Sequence, residues 1–254
     1  MSESNAGRHW PNRTRSKNGA SSVPPADGTG FTPVLATRDS ERGVIVNPFL
    51  GEQKHGWWDA VGEDILVDDA LVYVELENEA TKVRTFKIDL VDGLMQTPEY
   101  AAAVIRANQP RASDALVRQR VDARARRQAR LHGKNPIHVE AIITEGALRI
   151  QVGGRDVMRR QLERLLELAE LPNIDLRVMP AAQAYPAMGT PFYILSFDSG
   201  YPDIGYIELL DKGVYLEEPD DVELYLIKFA NLRSVALDPE RSREFIAEIG
   251  SSQD

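Results

Sequence analysis

The apolar period of this chain changes at Pro172, and that change limits the fold more than any single motif does. Ahead of it, Val157, Met158, Leu162, Leu165, Leu166 and Leu168 recur at helical spacing, with Arg159, Arg160, Glu163 and Arg164 outward. Beyond it, "IDLRVMP" sets Ile174, Leu176 and Val178 in alternation against Asp175 and Arg177, the period of a strand. "PFYILSF", "IGYIELL" and a short "GVYLEE" continue as strands, and the link Asp198 to Asp203 has the composition of a hairpin loop. Two helices follow, Pro219 to about Val235 and Pro239 to about Ile249, each with proline at its first position after an acidic residue, Glu218 and Asp238. Helices, then a meander, then helices predict an α+β fold: a helical N-terminal half packed on a small, mainly antiparallel sheet, with two C-terminal helices.

The N-terminal half supplies the helices. "DLVDGLMQTPEYAAAVI", Asp89 to Ile105, turns from a glycine loop into a helix with Thr97 at its cap, Pro98 at its first position and Glu99 in its first turn. Such an entrance could seat an anion, but Asp92 and Glu99 already bring negative charge to it. It is read instead as a hinge that pins helices to sheet. A helix is expected over about Asp69 to Ala80 and a strand over Val83 to Ile88. A second helix follows from Ser113 to about His132, then a buried strand through Ile143 and a short helix capped by Thr144. Residues 1–50, rich in Ser, Gly, Pro, Asn and Arg, are expected to form a disordered tail ahead of one domain over residues 51–250.

Charge and residue usage exclude several functions. The net charge of -9 opposes a general grip on nucleic acid, so any such contact must be local. The absence of cysteine removes disulfides, thiolate nucleophiles and Cys-based zinc sites, and agrees with a cytoplasmic location. His9, His55, His132 and His138 form no pair at helical spacing, so no metal is expected. "QVGGRD" lacks the Lys-Ser/Thr pair of a phosphate loop, no GxSxG elbow occurs, and no cofactor is expected. No apolar run approaches a membrane span.

Two groups of residues carry candidate chemistry. Glu145, Arg149, Tyr185, Tyr193, Tyr206 and Glu208 could line an apolar pocket with a few polar groups, although tyrosines and alternating carboxylates on strands are more often core, rim or solvent-facing. The second group is a basic helix: Arg118, Arg120, Arg124, Arg126, Arg127 and Arg130, offset only by Asp114 and Asp122. It suits an acidic partner or a phosphate backbone, and equally a solvated helix paired to the acidic segment Glu75 to Glu79.

Read in order, "WW" at Trp57 and Trp58, "VELENEA", "VDGLMQTPEYAAAVI", "RVDARARRQARL", "EGALRIQVGG", "VMRRQLERLLELAELPNIDLRVMP", "GTPFYILSF" and "LRSVALDPERSREFIAEI" resemble an actinobacterial regulator family. Its members carry an XRE-type helix-turn-helix before a large C-terminal domain of unknown function and behave like antitoxins at secondary-metabolism and sporulation loci. The resemblance covers about Gly56 to Ile249. In the family the loop reads Pro-Gly-Leu-Leu-Gln-Thr; here Asp92 replaces the proline and Met95 the second leucine. The tail occupies the place of the DNA-reading module, which makes direct DNA binding doubtful.

The resemblance implies a cytoplasmic regulatory or sensor module. Its expected partners are a small protein encoded beside it, a full-length paralogous regulator, a second copy of itself as a homodimer, or a small-molecule effector. The rival expectation is an enzyme of specialised metabolism, cyclase- or isomerase-like, built on a recruited effector pocket.

Overall fold

The computed structural model describes residue 57 and residues 68–183, 189–198, 200–209 and 212–252. The expected tail and Tyr185 lie outside the described residues. In chain order the elements are α1 (Asp68–Glu79), β1 (Lys82–Lys87), α2 (Pro98–Asn108), α3 (Asp114–Gln128), β2 (His138–Thr144), α4 (Glu145–Arg149), α5 (Arg155–Leu168), β3 (Ile174–Met179), β4 (Phe192–Ser196), β5 (Ile204–Glu208), β6 (Gly213–Leu216), α6 (Pro219–Val235) and α7 (Pro239–Ser251). A 3-10 turn, Gly93–Met95, precedes α2.

The fold is α+β, and its six strands form one mixed sheet in the order β3-β2-β1-β4-β5-β6. Three pairings, β1 with β4, β4 with β5 and β5 with β6, are antiparallel. The remaining two, β1 with β2 and β2 with β3, are parallel. The parallel half follows from connectivity: α2 and α3 separate β1 from β2, and α4 and α5 separate β2 from β3, so each strand is re-entered from the same end.

Alternation assigns the two faces of the sheet. Val83, Val139, Ala141, Ile143, Leu176, Val178, Tyr193 and Tyr206 form the main core with Tyr73 and Leu76 of α1, Tyr100 of α2, Met158 and Leu165 of α5, and Ile246 of α7. The opposite face places Phe86, Ile142, Phe192 and Ile194 under Val222, Phe229 and Leu232 of α6. Glu140 also lies on that second face, opposite Val139 and Ala141, where Lys82 at 3.2 Å and Arg84 at 3.3 Å pair with it.

The loop between β1 and α2 is fastened from three helices. Thr97 Oγ1 accepts from Tyr100 N at 3.2 Å and caps α2 as expected. The Tyr100 hydroxyl accepts from Val91 N, and Gln128 of α3 donates to the carbonyls of Gly93 and Gln96. From α5, the fully buried Gln161 accepts from Thr97 N at 2.8 Å and donates to Met95 O at 2.8 Å. Through the Gln161 bond to Thr97 N, this helix entrance joins elements of the fold.

Candidate functional site

Beneath that loop, the core face of β1 runs Val83, Thr85, Lys87, so strand alternation carries a lysine into the main core. Lys87 is 8% exposed, its Nζ lies 4.1 Å from the centre of the Tyr193 ring, and Asp92 Oδ2 stands 4.0 Å away. Asp92 is fully buried. Its Oδ1 accepts from Leu94 N at 2.9 Å, which caps the 3-10 turn, while Oδ2 has no hydrogen-bond partner. Sequence reasoning put the Asp92 charge beside the entrance of α2; the structure turns it down towards the sheet instead, because it caps its own turn.

Aromatic rings form the floor. Tyr193, Tyr206 and Tyr215 are in register across β4, β5 and β6, and Tyr73 of α1 packs over the first two at 5.1 and 4.7 Å between centroids. The Tyr73 hydroxyl and Thr85 Oγ1, the latter in register with Tyr193, are also buried without a hydrogen-bond partner. Unpartnered polar atoms are uncommon in folded proteins, and three belong to this one patch.

Electrostatics follow from the burial. Burial lowers the Lys87 ammonium pKa from its ordinary value, and Asp92, then Glu208, partly draw it back. Burial pushes the Tyr193 hydroxyl well up, helped by the Asp92 and Glu208 carboxylates. Tyr73 is raised for the same first reason, then by Glu77.

One wall comes from the arginine helix. Arg127 grips the buried Glu77 of α1 through two hydrogen bonds of 2.7 Å, with its guanidinium 5.3 Å from the Tyr73 ring centre. Burial alone would lower its pKa, but Glu77 overrides that and holds it well above its usual value. Arg124 donates to Gln96, whose amide in turn donates to Val91 O. Arg120 donates to Gln109, and Arg130 to the carbonyls of Ala80 and Asn135. Arg118 and Arg126 are exposed, with Arg126 set 5.6 Å from the ring centre of the half-buried Trp57. The basic helix therefore has two sides, one tied to the fold and one outward.

The arrangement can hold a small polar molecule between a cation, a carboxylate and tyrosine rings, or use an amine of lowered pKa as a base or nucleophile. Residues 71–248 match the family model described as Domain of unknown function (DUF5753). The chain belongs to that family. The DUF5753 match takes in all six strands, the loop and the whole charged cluster. No curated protein matches the chain.

Within the DUF5753 domain the expected ligand residues are divided. Tyr193 and Tyr206 meet in the cluster, and Glu208, exposed at the end of β5, acts on it through its charge. Glu145 and Arg149 lie apart on α4: they pair with each other at 2.6 Å, and Glu145 Oε2 accepts from Ala181 N at 2.9 Å. An open cleft of about 670 Å³ lies between α6 and α7, lined by Arg177, Gln183, Arg233 and Arg241 among others. Asp175 fixes Arg177 and Arg233 there. Lys87 was missed in the sequence, as was the role of Asp92, whereas the Arg127–Glu77 pair falls within the expected pairing of the arginine helix to the acidic segment Glu75 to Glu79. The alternation Val83, Thr85, Lys87 was the available signal for Lys87. Among the described residues no group of three His, Asp or Glu is placed to hold a metal ion, and no helix is long and apolar enough to cross a membrane.

Proposed function

We propose that this chain is a cytoplasmic regulatory module whose Lys87–Asp92 cluster takes a small polar effector, and whose outward arginine face on α3 docks a partner protein. The carrying observation is Asp92 Oδ2, a buried carboxylate oxygen without a hydrogen-bond partner and 4.0 Å from a buried ammonium. A geometry that leaves Asp92 Oδ2 without a hydrogen bond costs stability, and a bound polar molecule that donates to it would offset that.

Coupling has a physical route. Arg124 and Gln128 hold the loop that carries Asp92, while Arg118 and Arg126 on the same helix face outward. An effector that moves the loop therefore bears on α3 directly. The partner side rests on the resemblance to antitoxin-like regulators: a small protein encoded beside the gene, or a full-length paralogous regulator, with an acidic surface. Direct reading of DNA is no part of this role.

The test has two arms. Purified protein should give no sequence-specific shift with its own promoter, and co-expression with the adjacent small protein should yield a complex that Arg118→Glu with Arg126→Glu weakens. Tight, sequence-specific promoter binding by the protein alone overturns the proposal.

One observation favours a second reading, an enzyme of specialised metabolism. Burial moves Lys87 towards the neutral amine, which is the form that attacks a carbonyl or abstracts a proton. Loss of a product on Lys87→Arg, with neighbouring transcripts unchanged, would select that reading.

A further inference from the structure

Three guanidinium groups converge beside β3 on the second face of the sheet, each delivered by a different element. Alternation on β3 turns Asp175 and Arg177 away from the main core, the last turn of α6 brings Arg233, and the first turn of α7 brings Arg241. With Gln183 they line the cleft of about 670 Å³ between the two helices. The link from α6 to α7 is pinned to the edge of β3: Leu237 N donates to Val178 O at 2.9 Å, and the fully buried Ser242 accepts from Val178 N through its Oγ at 2.9 Å. Two of the arginines are therefore held against the strand that carries the third.

Pairing leaves these groups with donors unused. Asp175 takes Nε and Nη2 of Arg177 at 2.8 and 3.2 Å, and Nη2 of Arg233 at 2.8 Å. Among the described residues, Nη1 of Arg177, Nε and Nη1 of Arg233 and the whole Arg241 guanidinium have no hydrogen-bond partner. Asp238, the carboxylate in the cleft lining, is turned to the backbone, where its Oδ1 accepts from Arg241 N at 2.9 Å and caps α7. Three guanidiniums against the carboxylates of Asp175 and Asp238 leave one positive charge in excess.

We propose that this cleft binds a small molecule through a phosphate group. A carboxylate presents two oxygens in one plane and is served by a single guanidinium fork, whereas three forks arriving from a strand and two helices suit a tetrahedral group with more acceptor oxygens. The volume lies in the range of small-molecule sites, so the cleft has room for the body of a ligand beyond its phosphate. A net charge of -9 on the chain repels a long polyanion, which disfavours a nucleic-acid backbone at so local a cluster. The cleft lies on the face of the sheet opposite the Lys87–Asp92 cluster, and its failure would leave the effector reading untouched.

The experiment is calorimetric titration of the full chain with inorganic pyrophosphate at about 50 mM salt, where screening is modest. One molecule per chain should bind with a Kd below about 1 mM, and acetate at the same ionic strength should not compete. Arg241→Ala removes an exposed side chain that has no partner to lose, so thermal melts should show an intact fold while affinity falls by about tenfold or more. Arg111→Ala, an equal loss of charge on the exposed loop ahead of α3, should change affinity by less than about twofold. A Kd above about 1 mM overturns the proposal. So does an equal loss from Arg241→Ala and Arg111→Ala, because diffuse charge then accounts for the binding. Competition by acetate overturns it as well, since the cleft would then serve carboxylates.

Discussion

Lys87 and Asp92 face each other across 4.0 Å in the main core, with Asp92 Oδ1 held by Leu94 N and Oδ2 turned to the ammonium without a hydrogen-bond partner. Removing one charge strands the other. Lys87→Met, and Asp92→Asn, which keeps an acceptor for Leu94 N, should each cost about 1–3 kcal/mol. The double variant should cost less than the sum, because no uncompensated charge remains. Urea unfolding of the four proteins measures this, and strict additivity would show that the two charges do not sense each other.

Arg127 and Glu77 form the tightest buried ion pair of the structure's helical layer, two bonds of 2.7 Å with Glu77 only 2% exposed at its side chain. Arg127→Ala should destabilise by about 3–5 kcal/mol. Lysine offers a point charge where the site uses a planar fork, so Arg127→Lys should recover less than half of the loss. Full rescue by lysine in denaturant melts would mean that charge alone matters.

The Gln161 side chain is the only described side chain that bonds to both Met95 O and Thr97 N. Gln161→Met retains volume but strands both backbone groups, at about 1–3 kcal/mol each. Because the loss lies in the loop, amide exchange should rise in residues 91–97 more than in the sheet. An equal rise everywhere would refute a local role for this side chain.

Glu145 contributes to acid stability. The Ala181 N–H first, and then Arg149, hold its carboxyl below the usual range. A depressed pKa means that the folded state binds fewer protons, so the contribution is complete above the ordinary carboxylate pKa and is lost as pH falls through the lowered one. Thermal melts from about pH 6 to about pH 3 should therefore converge for wild type and Glu145→Gln at the acid end. A gap that stays constant with pH would contradict this.

Local signals in the sequence carried far. The helix entrance at Thr97, the acidic-proline starts of α6 and α7, and the switch to strand period after Pro172 each rest on neighbouring residues, and the structure bears each of them out. The parallel half of the sheet was not legible, because the pairing of Thr85 with Ala141 depends on helices crossing between them. The charged cluster was half legible. Tyr193 and Tyr206 stood out as strand tyrosines, while Lys87 looked like an ordinary polar strand residue until its face was known. Along the arginine helix, Arg120, Arg124 and Arg127 follow the buried Val117 at helical spacing, a regularity that an even run of arginines conceals.

The sheet's midline has a kinetic meaning. Strands β1 and β4 join its parallel and antiparallel halves, and the hydrogen bond from Arg84 to Ser196 spans 112 residues of chain. The pairs β4–β5 and β5–β6 need only short turns, whereas this seam must wait for the intervening helices to condense. Folding should therefore be slow and sequential, with the seam closing last. Substitutions at Val83 or Leu195 should accelerate unfolding and leave the refolding rate nearly unchanged.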